Sequence, residues 1–449
     1  MESGKAHLLT TGNPAKRIIA FALPILATEV LHIFYTMADA FVVGRWLGIN
    51  GLAAVGATYN LICFVWGFIF GLTGGFTVIT TQRIGAGDSD GIRRSIAAGF
   101  LLCFATAVIF TFILVPLIPY IITLMQTPGE IAKDAQSYVT VLFSGMIILL
   151  FSNMLASIIY AAGDSITPLI FNMLGLFLNL ILNIIFITAL SWGITGVAIA
   201  TVISQFIAGL LTFIFLLRRF RPFLPRRQDW RVSRHELKTH LSLGFAMGLQ
   251  RSIVEVGNIL VQAAINGFGA LTIAAVSAAQ RVRGLNMMPL FALSRALTTF
   301  TAQNHGAGNK DRVLKGLLQG SLISIGLGVF MAALNQFTGR PIVSLFLRES
   351  PEAITLATQY LLITGYTVFI LGIMLVFRSA LQGMGKKTAP ILSSIMETVM
   401  SIFAAFVLIP SLGFLGVCLV NPLSWLASGI PLYIAFAFLR KELKQSELV

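Results

Sequence analysis

Apolar residues along this chain run in long blocks separated by short polar punctuation. Twelve blocks are long enough to cross a bilayer as helices: 15–41, 52–80, 92–117, 131–161, 166–190, 193–218, 239–266, 271–303, 312–337, 352–382, 389–410 and 414–438. They fall six to each half. The longest polar stretch, 219–238, lies between the halves and carries Pro222 and Pro225 among basic residues. The pattern predicts an all-α polytopic membrane protein with a six-helix lobe over 1–218, a basic linker over 219–238, and a second six-helix lobe with a short tail over 239–449.

The halves share more than a span count. Gly85-Ala86-Gly87 recurs as Gly306-Ala307-Gly308, an offset of 221, and Thr80, Gln82 and Gly99 fall on Thr301, Gln303 and Gly320. The same offset overlays Gly48 on Gly269 and Ala53-Ala54-Val55 on Ala274-Ala275-Val276. Gly163 and Pro168 fall on Gly385 and Pro390 at 222, and Gly193-x-x-Gly196-Val197 falls on Gly413-x-x-Gly416-Val417 at 220. The order is kept and the drift is one residue either way, so a whole half is duplicated. An even number of spans per half makes the repeats parallel, an arrangement that suits two transporter lobes with a substrate cleft near the middle of the membrane.

Composition agrees. Only 11% of the 449 residues are charged and 57% are apolar, far from the roughly 25% charge of a soluble domain. Of the 31 Lys and Arg residues, 22 fall on one side of the predicted spans and four (Arg45, Lys133, Arg340, Arg348) on the other. The positive-inside rule then puts both termini, the two Gly-Ala-Gly loops and the linker in the cytoplasm. The net charge of +14 is therefore topological, with attraction to anionic membrane lipids, and no nucleic acid partner is expected. The N-terminus enters the first span without a small-residue cleavage site, so no cleavable signal peptide is expected. Cys63, Cys103 and Cys418 lie in spans with no ligand spacing and read as packing residues. The Gly-Ala-Gly loops lack the Lys-Ser/Thr of a phosphate loop, so no nucleotide and no other cofactor or metal is expected, nor any sign of an enzyme.

Four of the 17 acidic residues lie deep in spans: Glu29, Asp39, Glu255 and Glu397. An embedded carboxylate costs a few kcal/mol on insertion scales and marks an ion or substrate path. Glu29, His32, Thr36 and Asp39 share one face of the first helix, a route for protons or cations, and Pro24 in the same span makes a hinge. Arg251 and Glu255 are i, i+4 and either neutralise each other or bind a cation. Glu397 either faces a central cleft or pairs with Arg378 or Arg295. On span 5 Asn179 and Asn183 share a face, and span 6 adds Thr201. Such amides and hydroxyls suit a monovalent cation and suit helix–helix hydrogen bonding equally.

Leu23-Pro24, then Tyr35-x-x-x-Asp39-x-x-x-x-Gly44-Arg45 and Leu52-Ala53-Ala54-Val55, resemble the first span of the multidrug and toxic compound extrusion (MATE) transporters and its exit. The Gln-x-x-Gly-Ala-Gly loops at 82–87 and 303–308 resemble that family's loops after spans 2 and 8. Gly163-Asp164-Ser165-x-Thr167-Pro168 and Gln382-Gly383-x-Gly385-Lys386-Lys387 resemble its turns after spans 4 and 10. The resemblance implies two six-helix lobes around a V-shaped central cavity and alternating access. It also implies efflux of amphipathic, often cationic organic compounds across the plasma membrane (the cell inner membrane) by antiport with H+ or Na+, by a monomer. It makes Asp39 the coupling acid, with Tyr35, Asn179, Asn183 and Thr201 around it. Asn183 stands where the family often has Asp, and the missing carboxylate points toward H+. Glu255 falls near an acid used in another branch. Glu29, His32, Glu255, Glu397 and Arg251 remain candidates for substrate binding or secondary coupling. A flippase of lipid-linked precursors is the alternative, supported by Arg251, Arg281, Arg283 and Arg295 in the second half.

Overall fold

In the computed structural model, residues 8–347 and 350–445 are described; Lys5 and Arg348 of the charge pattern lie outside them. The first half holds α1 (Pro14–Trp46), α2 (Gly48–Ala86), α3 (Ser89–Leu124), α4 (Gly129–Ser144), α5 (Met146–Ala161), α6 (Ile166–Thr188) and α7 (Gly193–Arg219). The second holds α8 (Arg234–Asn266), α9 (Ala270–Gly306), α10 (Lys310–Phe346), α11 (Pro351–Gly383), α12 (Thr388–Phe403), α13 (Ile409–Leu412) and α14 (Phe414–Gln445). The described residues form helices and turns, with no strand. Helices leave no backbone polar group to face lipid, which is why an apolar chain of this kind folds this way.

Two of the twelve predicted spans are interrupted. Span 4 is α4 and α5, bent by 50° at their junction. The junction residue is Gly145, where a Cβ would come within 2.6 Å of Val202. Span 11 is α12 and α13 joined through a π-helical segment, Ala404–Leu408. Counted as rods, the described residues make twelve. Nine of these helices are long and apolar enough individually to cross a membrane, and the bent pair makes ten. The two that fall short, α8 and α9, are those carrying Gln250, Arg251 and Glu255, and Arg281, Arg283, Asn286 and Arg295.

Glycine conformation records the duplication. Gly48 and Gly269, Gly87 and Gly308, Gly163 and Gly385, and Gly193 and Gly413 all have positive φ. Each pair is matched by the repeat, so the same left-handed turns close the corresponding helices of both halves.

The chain divides into two compact units. One contains residues 27–248, the other residues 9–26 with those from 249 onward, so α1 and α8 each contribute to both. In the first unit, α8 packs backbone to backbone on α2: a Cβ on Gly75 would meet Gly244 Cα at 2.5 Å, and one on Gly71 would meet Met247 O at 2.5 Å. The stretch 219–238 belongs to this unit and is folded, with 3-10 turns at Arg221–Phe223 and Arg227–Trp230. Asp229 is buried there and accepts from Arg93 Nε at 3.1 Å, and Trp230 stacks on Phe100. In the second unit, the segment before α1 is tied down by Leu9 N–H donating to Gln303 Oε1 at 2.7 Å and Arg312 donating to the Thr11 and Gly12 carbonyls.

Candidate functional site

The first unit gathers Asp39, Tyr35, Asn179, Asn183 and Thr201 from α1, α6 and α7. The approach of α6 to α7 starts from small residues: Gly175 faces Ala208, and a Cβ at Gly175 would sit 3.3 Å from that methyl. Small residues let helices pack closely in a membrane and bring polar side chains within reach. Asn179 and Asn183, one turn apart on α6, are 1% and 0% exposed. Asp39 is buried with them and forms no ion pair among the described residues.

Asn183 Nδ2 donates to Asp39 Oδ1 at 2.6 Å. Asn179 lies between Asp39 and α7. With its amide turned, its nitrogen donates to Asp39 Oδ1 at 2.9 Å and stands 2.9 Å from Asn183 Nδ2. Its oxygen then accepts from the Tyr35 hydroxyl at 3.1 Å and from Thr201 Oγ1 and backbone N–H, each at 3.2 Å. Tyr35 and Thr201 hydroxyls are 3.1 Å apart. Asn183 Oδ1 is buried without a partner. The result is one negative charge held by neutral donors, with one orphan acceptor beside it. Chemically this is a place for a proton or a small cation.

The other candidates are not gathered there. Glu29 is half-buried and lies ten residues, about 15 Å of helix, before Asp39. His32 is exposed and stacks on the Tyr35 ring at 6.0 Å. Thr36 spends its hydroxyl on the Ile33 carbonyl at 2.9 Å. His32 thus meets a member of the cluster through the Tyr35 ring, while Thr36 turns back to its own helix. Pro24 stands inside α1, two residues before the last one that packs with the second unit.

In the second unit, Arg251 lies over the Phe291 ring at 5.9 Å, and Glu255, exposed, accepts from Asn258 at 3.1 Å. Glu397 pairs with Arg378 at 2.9 Å, which also donates to Ser393 and Ser428. Of the two expectations for Glu397, the ion pair is the one found. The positions matching the Asp39 cluster carry no charge: Leu260 for Asp39, Ser401 for Asn179 and Ala405 for Asn183. Sequence reading passed over a second polar group, Asn286, Asn335, Tyr360 and Asn421, which lie on four helices of this unit. They come from four separate helices, so only the fold brings them together.

Twelve rods in duplicated halves, with a lone carboxylate sequestered among amides and hydroxyls, define a polytopic membrane transporter. The MatE family model matches the chain twice, over residues 24–185 and 246–407, beginning 222 residues apart. The chain belongs to the MatE family, the multidrug and toxic compound extrusion transporters. It is similar to the probable multidrug resistance protein YpnP of Bacillus subtilis (strain 168), at 27% identity over 383 residues and 85% of both chains. It is 22% identical over 436 residues, 95% of both chains, to the FAD transporter of Shewanella oneidensis. Its fold is that of a MATE transporter solved in a bent conformation, with a TM-score of 0.92 over 100% of both chains at 23% identity.

Proposed function

We propose that this chain exports amphipathic, often cationic organic compounds by alternating access, coupled to inward flow of H+ through Asp39. It would act at the plasma membrane with both termini in the cytoplasm. The observation that carries the reading is the isolation of Asp39. A carboxylate in the membrane interior with no basic partner requires a counter-charge that comes and goes. The neutral amides around it hold the charge in place without cancelling it. Asp39 is also the only carboxylate of the cluster, so a single proton neutralises it. A sodium ion would look for more negative charge than the one carboxylate of the cluster supplies. Family membership supports efflux of drug-like compounds, and the relative described as a multidrug resistance protein fits it.

The test is ethidium efflux from proteoliposomes under an imposed pH gradient. Wild type should export, and Asp39→Asn should not, while eluting from gel filtration like wild type. Unchanged efflux by Asp39→Asn would remove Asp39 from the mechanism. Efflux driven by a Na+ gradient at clamped pH would replace H+ by Na+ as the coupling ion.

A further inference from the structure

The stretch between the halves sorts its charges. Residues 219–238 hold two acids, Asp229 and Glu236, and both are spent inside the first unit. Asp229, with a side chain 6% exposed, accepts from Arg93 Nε and from the Arg226 backbone N–H at 2.8 Å. Glu236, 11% exposed, is paired with Arg83 of α2, which also donates to the Gly91 carbonyl at 2.6 Å. At the start of α3, Asp88 accepts from the Gly91 N–H and Asp90 is paired with Arg93. The basic residues of the stretch are left outside. Arg221, Arg226, Arg227, Arg231 and Arg234 are exposed, and none forms an ion pair among the described residues. The positive-inside rule counts cations and is indifferent to acids, so it does not account for a surface stripped of carboxylates.

The helices on either side place this surface at the membrane boundary. On α7, Leu210, Ile214 and Arg218 are exposed at i, i+4 and i+8. On α8, Arg234, Lys238, Leu241 and Phe245 are exposed at i, i+4, i+7 and i+11. Each face turns from apolar to basic toward the stretch, the pattern of a helix leaving the acyl layer for the headgroups. Trp230 is 45% exposed, with its ring stacked on Phe100 at 6.4 Å. A tryptophan partly held by the protein and partly open suits the headgroup level. The stretch is also packed from within: Phe220 is 1% exposed and stacks on Phe223 at 5.8 Å. Its cations are presented by a folded segment, so a ligand does not have to order the chain before binding.

We propose that residues 221–234 form a binding site for anionic phospholipid. The headgroup phosphate goes to Arg227 and Arg231, and Trp230, between them in sequence, lies against the glycerol region of the same lipid. Guanidinium groups hold phosphate oxygens through paired, charge-assisted bonds. A zwitterionic lipid brings the same phosphate with its own cation attached, so the site prefers a lipid of net negative charge. The inference concerns the surface of the first unit and holds whatever compound the chain exports.

The experiment reconstitutes the full-length protein in phosphatidylcholine vesicles doped with brominated phosphatidylglycerol or with brominated phosphatidylcholine. Bromine quenches tryptophan, and the difference between wild type and Trp230→Phe isolates the Trp230 signal. Brominated phosphatidylglycerol should half-quench Trp230 at a mole fraction about fivefold or more below that of brominated phosphatidylcholine, the effect of one well-placed cation. Arg227→Gln/Arg231→Gln should remove the difference. Lys315→Gln/Lys386→Gln, which takes the same charge from exposed positions of the second unit, should keep it. Equal quenching of Trp230 by the two lipids overturns the proposal, and that comparison needs neither charge variant to fold. An equal loss in both double variants also overturns it, because the preference would then come from the overall charge of the protein. Loss of the preference on adding inorganic phosphate at fixed ionic strength would give the site to a soluble anion instead of a lipid.

Discussion

Asn183 gives its side-chain N–H to Asp39 at 2.6 Å while its own oxygen stays buried and unpaired. The pair combines a charge with a neutral donor at a spot where a second charge would change the ion chemistry. The amide holds the carboxylate in place when it is ionised. Its orphan oxygen is available to a proton on Asp39 or to an incoming cation.

Asn183→Asp tests this directly. Two carboxylates within hydrogen-bond distance cannot both be ionised without a cation between them. On the H+ reading proposed above, the variant should therefore acquire Na+ dependence. Sodium uptake measured with radiolabelled Na+, and ethidium efflux with and without Na+ at fixed pH, read it out. A variant indifferent to Na+ would mean that the number of carboxylates does not set ion choice in this pocket.

The sequence contained much of this arrangement, for identifiable reasons. The span pattern and the duplication were legible because lipid enforces long apolar blocks and because turn glycines keep their backbone geometry in both halves. Asp39 stood out because a lone acid in such a block is expensive. The i, i+4 spacing of Asn179 and Asn183 placed them on one face. Which face meets Asp39 depends on how α6 and α7 pack, and Gly175 and Ala208 decide that only in three dimensions. Glu29 and His32 share the helical register of Asp39, and His32 meets the cluster through the Tyr35 ring, a contact that periodicity does not specify. The break at Gly145 was invisible because hydropathy is continuous through it. The group of Asn286, Asn335, Tyr360 and Asn421 was missed because its members are scattered over α9, α10, α11 and α14.

The α2–α8 contact gives a prediction about stability. Gly75 and Gly244 touch through their backbones, and a Cβ on Gly75 would stand 2.5 Å from Gly244 Cα. Gly75→Val must push the helices apart and should destabilise the protein by about 1–3 kcal/mol or more, the usual cost of overpacking. Gly74 is the control, because a Cβ there meets only Met247 Cε at 3.7 Å. Gly74→Ala should leave the melting temperature unchanged. Fluorescence-detected thermal denaturation in detergent measures both. Equal behaviour of the two variants would show that the close approach of α2 and α8 is not tightly held.

Glu397 and Arg378 provide the last prediction. They are partners at 2.9 Å, with side chains 13% and 15% exposed, and Arg378 Nη2 also donates to Ser393 and Ser428, while its Nε is buried without a partner. Removing one partner of a buried pair strands the other charge, at a cost of about 3–5 kcal/mol, whereas removing both costs far less. Arg378→Gln alone should therefore lower thermal stability sharply. The double variant Arg378→Gln/Glu397→Gln should recover most of the loss, since two amides can still reach the serines. If Glu397 also contacts substrate, the recovered double variant would melt like wild type and still fail to export ethidium. If the pair is purely structural, stability and efflux should return together. Thermal denaturation and proteoliposome efflux on the same preparations separate the two outcomes.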